Sequence, residues 1–317
     1  MSRPTPAASS PALQTRIGSV VLPNPVLTAS GTAGHGSELS EYFDLSLLGA
    51  HVVKSLAPYE WAGNPSPRVH PVAAGMMNAV GLQGPGVTRW RLDDLPSLES
   101  AGVRVVASIW GRKVSEYAEA AALLAEAGPA VVAVEVNLSC PNLEGRSGIF
   151  AHDPSLCAEI IREVRASGRP CWAKLSPNTD RIVEVAGAVA EAGAEAVTLV
   201  NTVLAMAIET RTGRPALGNG GGGLSGPAIH PVAVRAVHDV RAAHRDLPII
   251  GVGGVVDAVG AVELLMAGAN AVQVGTATFA DPRAPLHVLE GLREWVEREG
   301  VRHLDEIIGI VHRGGRA

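Results

Sequence analysis

The run Ala130-Val131-Val132-Ala133-Val134-Glu135-Val136 leads directly into Asn137-Leu138-Ser139-Cys140-Pro141-Asn142. An almost wholly apolar, β-branched run of this length reads as a strand buried on both faces, the habit of parallel sheets. Pro141 cannot donate to a ladder, so the strand ends before it. Two carboxamides then flank a thiol. Carboxamides supply paired donors and acceptors for a planar, amide-rich ligand. A partly ionised thiol can take a proton from such a ligand. Taken alone, the hexapeptide also fits a strand-end turn in which Asn caps the backbone and Cys140 is a small core residue.

Similar apolar runs recur along the chain with Gly, Pro and Asn between them, at residues 25–30, 51–55, 103–109, 131–137, 171–175, 196–201, 248–251 and 271–275. Helical patterns separate them, including 115–127, 155–167, 180–192, 231–244 and 256–267. Asp153-Pro154 marks one helix start, and Gly193 closes the helix that begins near Asp180. Eight strands alternating with helices predict an α/β fold, a (β/α)8 TIM barrel. A doubly wound open sheet competes less well, because polar residues end most strands and not one switch point. Residues 14–23 read as a short hairpin ahead of the barrel. Two insertions, 57–95 and 204–228, follow strands and so belong over the C-terminal mouth as lids.

Composition narrows the function. The chain of 317 residues is 47% hydrophobic and 18% charged, which places it among globular α/β proteins. A net charge of -5 with no Lys/Arg block argues against nucleic-acid binding. No apolar stretch approaches the roughly 18 residues of a membrane span. Residues 1–12 are Ser-, Pro- and Ala-rich without the apolar core of a signal peptide. They are expected to form a disordered tail on a cytoplasmic protein, with 13–317 as a single domain. Three cysteines, Cys140, Cys157 and Cys171, suit a reducing compartment and are too few for a four-cysteine iron–sulfur cluster. The ten histidines show no metal-ligand spacing, so no metal is expected.

Basic residues are almost all arginine; the lysines are Lys54, Lys113 and Lys174. Lys113 precedes a helix in a polar stretch and reads as solvated. Lys54 and Lys174 each end an apolar run, where a charge is costly without a partner. A compact ammonium at two strand ends suits an anionic ligand such as a reduced flavin ring. Ile249-Ile250-Gly251-Val252-Gly253-Gly254 and Ala271-Val272-Gln273-Val274-Gly275-Thr276 are strand–glycine turns, where backbone N–H groups can close on a phosphate. Gly218-Asn219-Gly220-Gly221-Gly222-Gly223 matches a dinucleotide pattern formally, but no strand precedes it and it reads as a flexible lid. Asn78, Asn137, Asn142 and Asn201 gather enough carboxamides to hold a small cyclic imide.

Together these stretches resemble the dihydroorotate dehydrogenases over roughly residues 15–310. The resemblance rests on Ala29-Ser30-Gly31-Thr32, Lys54-Ser55, 75–85, the hexapeptide 137–142, Lys174-Leu175-Ser176-Pro177-Asn178, Asn201-Thr202, Gly223-Leu224-Ser225-Gly226-Pro227, 251–254 and Gly275-Thr276. It implies FMN held by Ser30, Lys54, Ser55, Asn137, Lys174, Val200, Gly226, Gly253, Gly254, Gly275 and Thr276. It implies a substrate site of Lys54, Asn78, Val80, Gly81, Leu82, Asn137, Asn142, Asn201 and Thr202. Cys140 takes the position of the base that removes the C5 proton while hydride passes from C6 to the flavin. A cysteine there resembles class 1 enzymes, and 223–235 resembles the NAD-linked class 1B chains. That class implies a partner subunit carrying FAD and a [2Fe-2S] cluster, in a homodimer or a heterotetramer.

One position departs from the pattern. The family has an Asn near the flavin where this chain has Ser108, which is carried over as a flavin contact; the neighbouring Trp110 reads as a packing or interface residue. Three alternatives stay open: a fumarate-linked class 1A enzyme, an FMN barrel like that of dihydropyrimidine dehydrogenase, and a non-catalytic barrel acting as a binding subunit.

Overall fold

In the computed structural model, residues 11–139 and 153–315 are described; the tail before residue 11, Cys140 and Asn142 lie outside them. The chain opens with the expected hairpin, β1 (Thr15–Ile17) and β2 (Val20–Leu22), paired antiparallel. β3 (Val26–Thr28) and β4 (His51–Val52) are the first two barrel strands. An excursion follows with β5 (Val69–Val72), β6 (Gly75–Asn78), α1 (Val87–Asp93) and α2 (Leu95–Ser100). Regular alternation then runs through β7 (Val105–Ile109), α3 (Val114–Ala125), β8 (Val131–Asn137), α4 (Pro154–Val164), β9 (Cys171–Leu175), α5 (Ile182–Glu191) and β10 (Ala196–Leu199). A second excursion holds β11 (Val203–Ala205), β12 (Ile208–Glu209), β13 (Arg214–Pro215) and β14 (Gly222–Ser225). The chain closes with α6 (His230–Ala243), β15 (Ile249–Val252), α7 (Ala258–Ala267), β16 (Ala271–Val274), α8 (Ala277–Ala280) and α9 (Ala284–Arg298).

The eight barrel strands form one parallel sheet in the order β3-β16-β15-β10-β9-β8-β7-β4, and a Leu27–Ala50 bridge joins its two ends. An open sheet would leave two edges; here there are none, so the fold is the (β/α)8 barrel. Each apolar run of the sequence is one of these strands, with ends shifted by up to three residues. Local capping follows the residue types. Asp153 accepts from Ser155 N and Leu156 N at 3.0 and 3.2 Å, and Pro154 takes the first helical position of α4, where its missing N–H costs nothing.

The barrel interior is layered. Leu27, Val52, Val106, Trp172 and Ile250 fill its lower part, and Ile17 and Leu22 of the hairpin pack beneath them, plugging the N-terminal end. A larger apolar shell lies between strands and helices. His51 sits in that shell, fully buried, with Nδ1 at 3.1 Å from the Thr28 hydroxyl. Burial pushes its pKa down to about 4. The folded state therefore binds fewer protons at this site than the unfolded chain, whose imidazole titrates near 6.5. Stability falls as pH drops from about 6.5 to 4, by about 3 kcal/mol in full. Urea unfolding across that window is expected to show a steeper acid loss in the native protein than in His51→Gln.

The two insertions meet above the barrel. β5, β6, β11 and β14 form one antiparallel sheet in the order β11-β14-β6-β5. One row across it reads Leu204, Gly223, Asn78, Val69. This corrects the reading of 218–223 as a flexible lid, since Gly222 and Gly223 lie in a central strand paired on both sides. The glycines are there for close approach: a Cβ on Gly223 would lie 2.0 Å from the Thr202 hydroxyl. Helix α1 likewise falls inside the stretch 57–95 read as a lid. Met77, Ala79 and Leu217 make a small separate core under the sheet.

Candidate active site

A cavity of about 820 Å³ opens between the C-terminal ends of the strands and the overlying sheet. That size is ample for a cofactor together with a small substrate. The barrel brings the predicted residues to it from every side. Ser30, Lys54, Ser55, Asn137 and Lys174 rise from β3, β4, β8 and β9 or the turns after them. Val200, Asn201 and Thr202 follow β10; Gly253-Gly254 follow β15, and Gly275-Thr276 follow β16. Gly226 lies just beyond β14. Asn78, Val80, Gly81 and Leu82 come down from the lid.

Hydroxyls and amides form an arc across the strand ends. Ser30 Oγ lies 3.1 Å from Ser55 Oγ, which lies 2.9 Å from Ser108 Oγ. Asn137 Nδ2 donates to Ser55 Oγ at 3.4 Å, and Asn201 Nδ2 to Asn137 Oδ1 at 3.4 Å. Ser108 is fully buried, is not part of the cavity wall, and has its hydroxyl against that of Ser55. Trp110, 2% exposed, packs edge-on against Trp61 and Tyr59 with centroids 6.1 and 6.5 Å away. Trp61 Nε1 in turn donates to Gly81 O at 2.9 Å, which holds the Val80–Leu82 turn over the cavity. Leu82 sits there at φ +62°, a conformation that costs a non-glycine residue and needs such anchoring.

The electrostatics are one-sided. Among the described residues, the cavity wall carries two charged side chains, Lys54 and Lys174, and no carboxylate. Burial first, and then the Arg68 guanidinium, hold the Lys54 ammonium below its ordinary pKa. A desolvated cation with no carboxylate to meet favours an anionic ligand. Lys113, by contrast, is exposed, as its polar surroundings suggest. The other two thiols are unsuited to proton transfer: Cys157 and Cys171 are buried away from the cavity, and desolvation pushes each up to about 12. Among the described residues no cluster of His, Cys, Asp or Glu could hold a metal ion.

The residues present fit FMN. The turns after β15 and β16 bring backbone to the cavity edge, where phosphate binds in this kind of barrel. Gly254 lies at φ +70°, and a Cβ there would meet His230 Cβ at 2.6 Å. Polar groups line the floor for an imide ring, and a cation stands ready for charge on it.

Several site residues escaped the sequence reading. Asn178 donates to Thr202 O at 3.0 Å and accepts from Leu204 N at 2.8 Å, clamping the turn that carries Asn201 and Thr202. His230 Nδ1 lies 2.8 Å from Gly253 O, where it donates and holds the glycine turn. Glu135, fully buried, lies below the floor beside Lys174. Asn178 had a visible signal in its Ser-Pro-Asn turn; Glu135 was hidden as one letter in an apolar run.

The sequence profile described as dihydroorotate dehydrogenase matches residues 12–296. A chain from Desulforudis audaxviator named dihydroorotate dehydrogenase B (NAD(+)), catalytic subunit, is 47% identical over 94% of this chain and 97% of its own. One of the same name from Trichlorobacter lovleyi is 44% identical over 95% and 99%. A Solibacter usitatus chain named putative dihydroorotate dehydrogenase A (fumarate) is 45% identical over 95% and 99%. With a family match and relatives at 44–47% identity across nearly the whole chain, this protein belongs to the dihydroorotate dehydrogenase family.

Proposed function

We propose that the chain oxidises dihydroorotate to orotate, a step of pyrimidine nucleotide synthesis, with FMN as its resident cofactor. The observation that carries this is the cavity wall itself, which among the described residues holds two lysines, an arc of serines and asparagines, and no carboxylate. FMN, when bound, supplies the two-electron acceptor for the C6 hydride. Lys174, Ser30, Ser55, Val200, Gly226 and the glycine turns Gly253-Gly254 and Gly275-Thr276 hold it. Lys54, Asn78, Val80, Gly81, Leu82, Asn137, Asn142, Asn201 and Thr202 orient the substrate, the carboxamides pairing with the imide and Lys54 with negative charge. Cys140, as thiolate, takes the C5 proton. The C5–H and C6–H bonds break, the C5=C6 bond forms, and one proton and one hydride leave. Ser108 supports the flavin site through Ser55.

The electrons pass to NAD through a partner subunit carrying FAD and a [2Fe-2S] cluster. That reading follows the names of the NAD-linked relatives and the resemblance of 223–235. The fumarate-named relative of similar identity supports a second reading, in which fumarate re-enters the same cavity and no partner is needed. Among the described residues no helix is long and apolar enough to cross a membrane.

The test is direct. Protein purified from its native source is expected to be yellow and to bleach with dihydroorotate under anaerobic conditions, faster than with dihydrouracil. A second chain bearing FAD and iron is expected to come down with it, and NAD to restore the colour. Colourless protein that takes up no FMN sinks the activity; recolouring by fumarate alone sinks the NAD route.

A further inference from the structure

We propose that Glu135 is a positioning residue that keeps Lys174 charged and aimed into the cavity, ready for negative charge arriving on a bound flavin. The proposal rests on the FMN reading above and goes beyond it. Glu135 lies in β8, fully buried, with its side chain inside the barrel one layer below the floor. Its Oε2 accepts from Thr198 Oγ1 at 3.0 Å and from Gln273 Nε2 at 2.6 Å. Those two bonds, from β10 and β16, fix the carboxylate across the barrel. Oε1 accepts no hydrogen bond and faces Lys174 Nζ at 3.7 Å. The Lys174 side chain is 6% exposed, yet it lines the cavity above while Glu135 does not. The pair thus runs vertically, anion below and cation above, and the carboxylate has no other cation among the described residues.

Desolvation disfavours a buried ammonium that lacks a counter-charge. Among the described residues, Glu135 on β8 is the one titratable group facing Lys174 from the strands beside it, since Thr198 on β10 does not ionise; Lys54, in the turn after β4, is the other charge on the cavity wall. Without the carboxylate, burial drives Lys174 to its neutral form while the flavin is oxidised. Negative charge on the reduced ring then draws a proton back. Two-electron reduction to an anionic flavin takes up one proton in the native protein. In Glu135→Gln it takes up two across the pH range where the lysine changes state.

The experiment measures the midpoint potential of the FMN-loaded protein against pH for the native chain, Glu135→Gln, and the double variant Glu135→Gln/Lys174→Met. The slope is expected to double in Glu135→Gln and to return to the native value in the double variant. An unchanged slope in Glu135→Gln, or a doubled slope that persists without Lys174, overturns the proposal. Thermal unfolding of the flavin-free proteins gives a second reading that needs no cofactor. Lys174→Met alone is expected to lower the midpoint and the added Glu135→Gln to recover it; strictly additive losses overturn the pairing. Failure to bind FMN at all counts against the function proposed above, and the thermal cycle then decides the pair by itself.

Discussion

Cys140→Ser is expected to leave FMN bound and to slow flavin reduction by dihydroorotate on the order of a hundredfold or more, the scale of losing a general base. A serine hydroxyl fills nearly the same space but is far harder to ionise near neutral pH. A free thiol titrates at about 8.5, so the native rate should rise with pH through that range. The variant should lose that rise. Cys157 and Cys171 cannot substitute, because burial pushes both up to about 12 and neither lines the cavity. Stopped-flow bleaching of the flavin, from pH 6 to 10, reads both the rate and its profile. Rapid reduction of Cys140→Ser at pH 7 would remove the thiol from the mechanism.

Lys174→Met should cost more in stability than most single replacements. It preserves the length and much of the volume of the side chain but leaves Glu135 buried without its cation. Breaking a buried pair in this way costs about 3–5 kcal/mol, most of it the penalty of the stranded charge. On the proposed FMN reading, the same change should also weaken FMN, since the cavity floor loses an ammonium. Urea unfolding of the flavin-free protein and titration with FMN separate the two effects. Unchanged stability and unchanged FMN affinity together would reduce Lys174 to a bystander.

The apolar repeat made the barrel legible. A strand buried on both faces needs a continuous apolar run, and that demand is local, so each of the eight runs could be read without its neighbours. The same locality exposed Lys54 and Lys174, because a charge at the end of such a run is conspicuous. It also marked the glycine turns after β15 and β16, where the backbone must come close to a ligand or to another chain segment.

What the sequence could not convey was pairing between distant segments. The lid is one sheet because Asn78 and Gly223, 145 residues apart, fall in adjacent strands. Nothing near either residue encodes that partner; the glycines looked like slack chain, yet they serve as close-packed strand. Ser108 read as a flavin contact by position, and the register of β7 against β4 turned its hydroxyl onto Ser55. Glu135 is the sharpest case. In the sequence it interrupts an apolar strand at some cost, and only the closing of the barrel brings Thr198, Gln273 and Lys174 around it from three other strands. Strand identity and the charge at each strand end follow from neighbours a few residues away. Which side chains meet across the cylinder follows from register and closure, and those are properties of the folded whole.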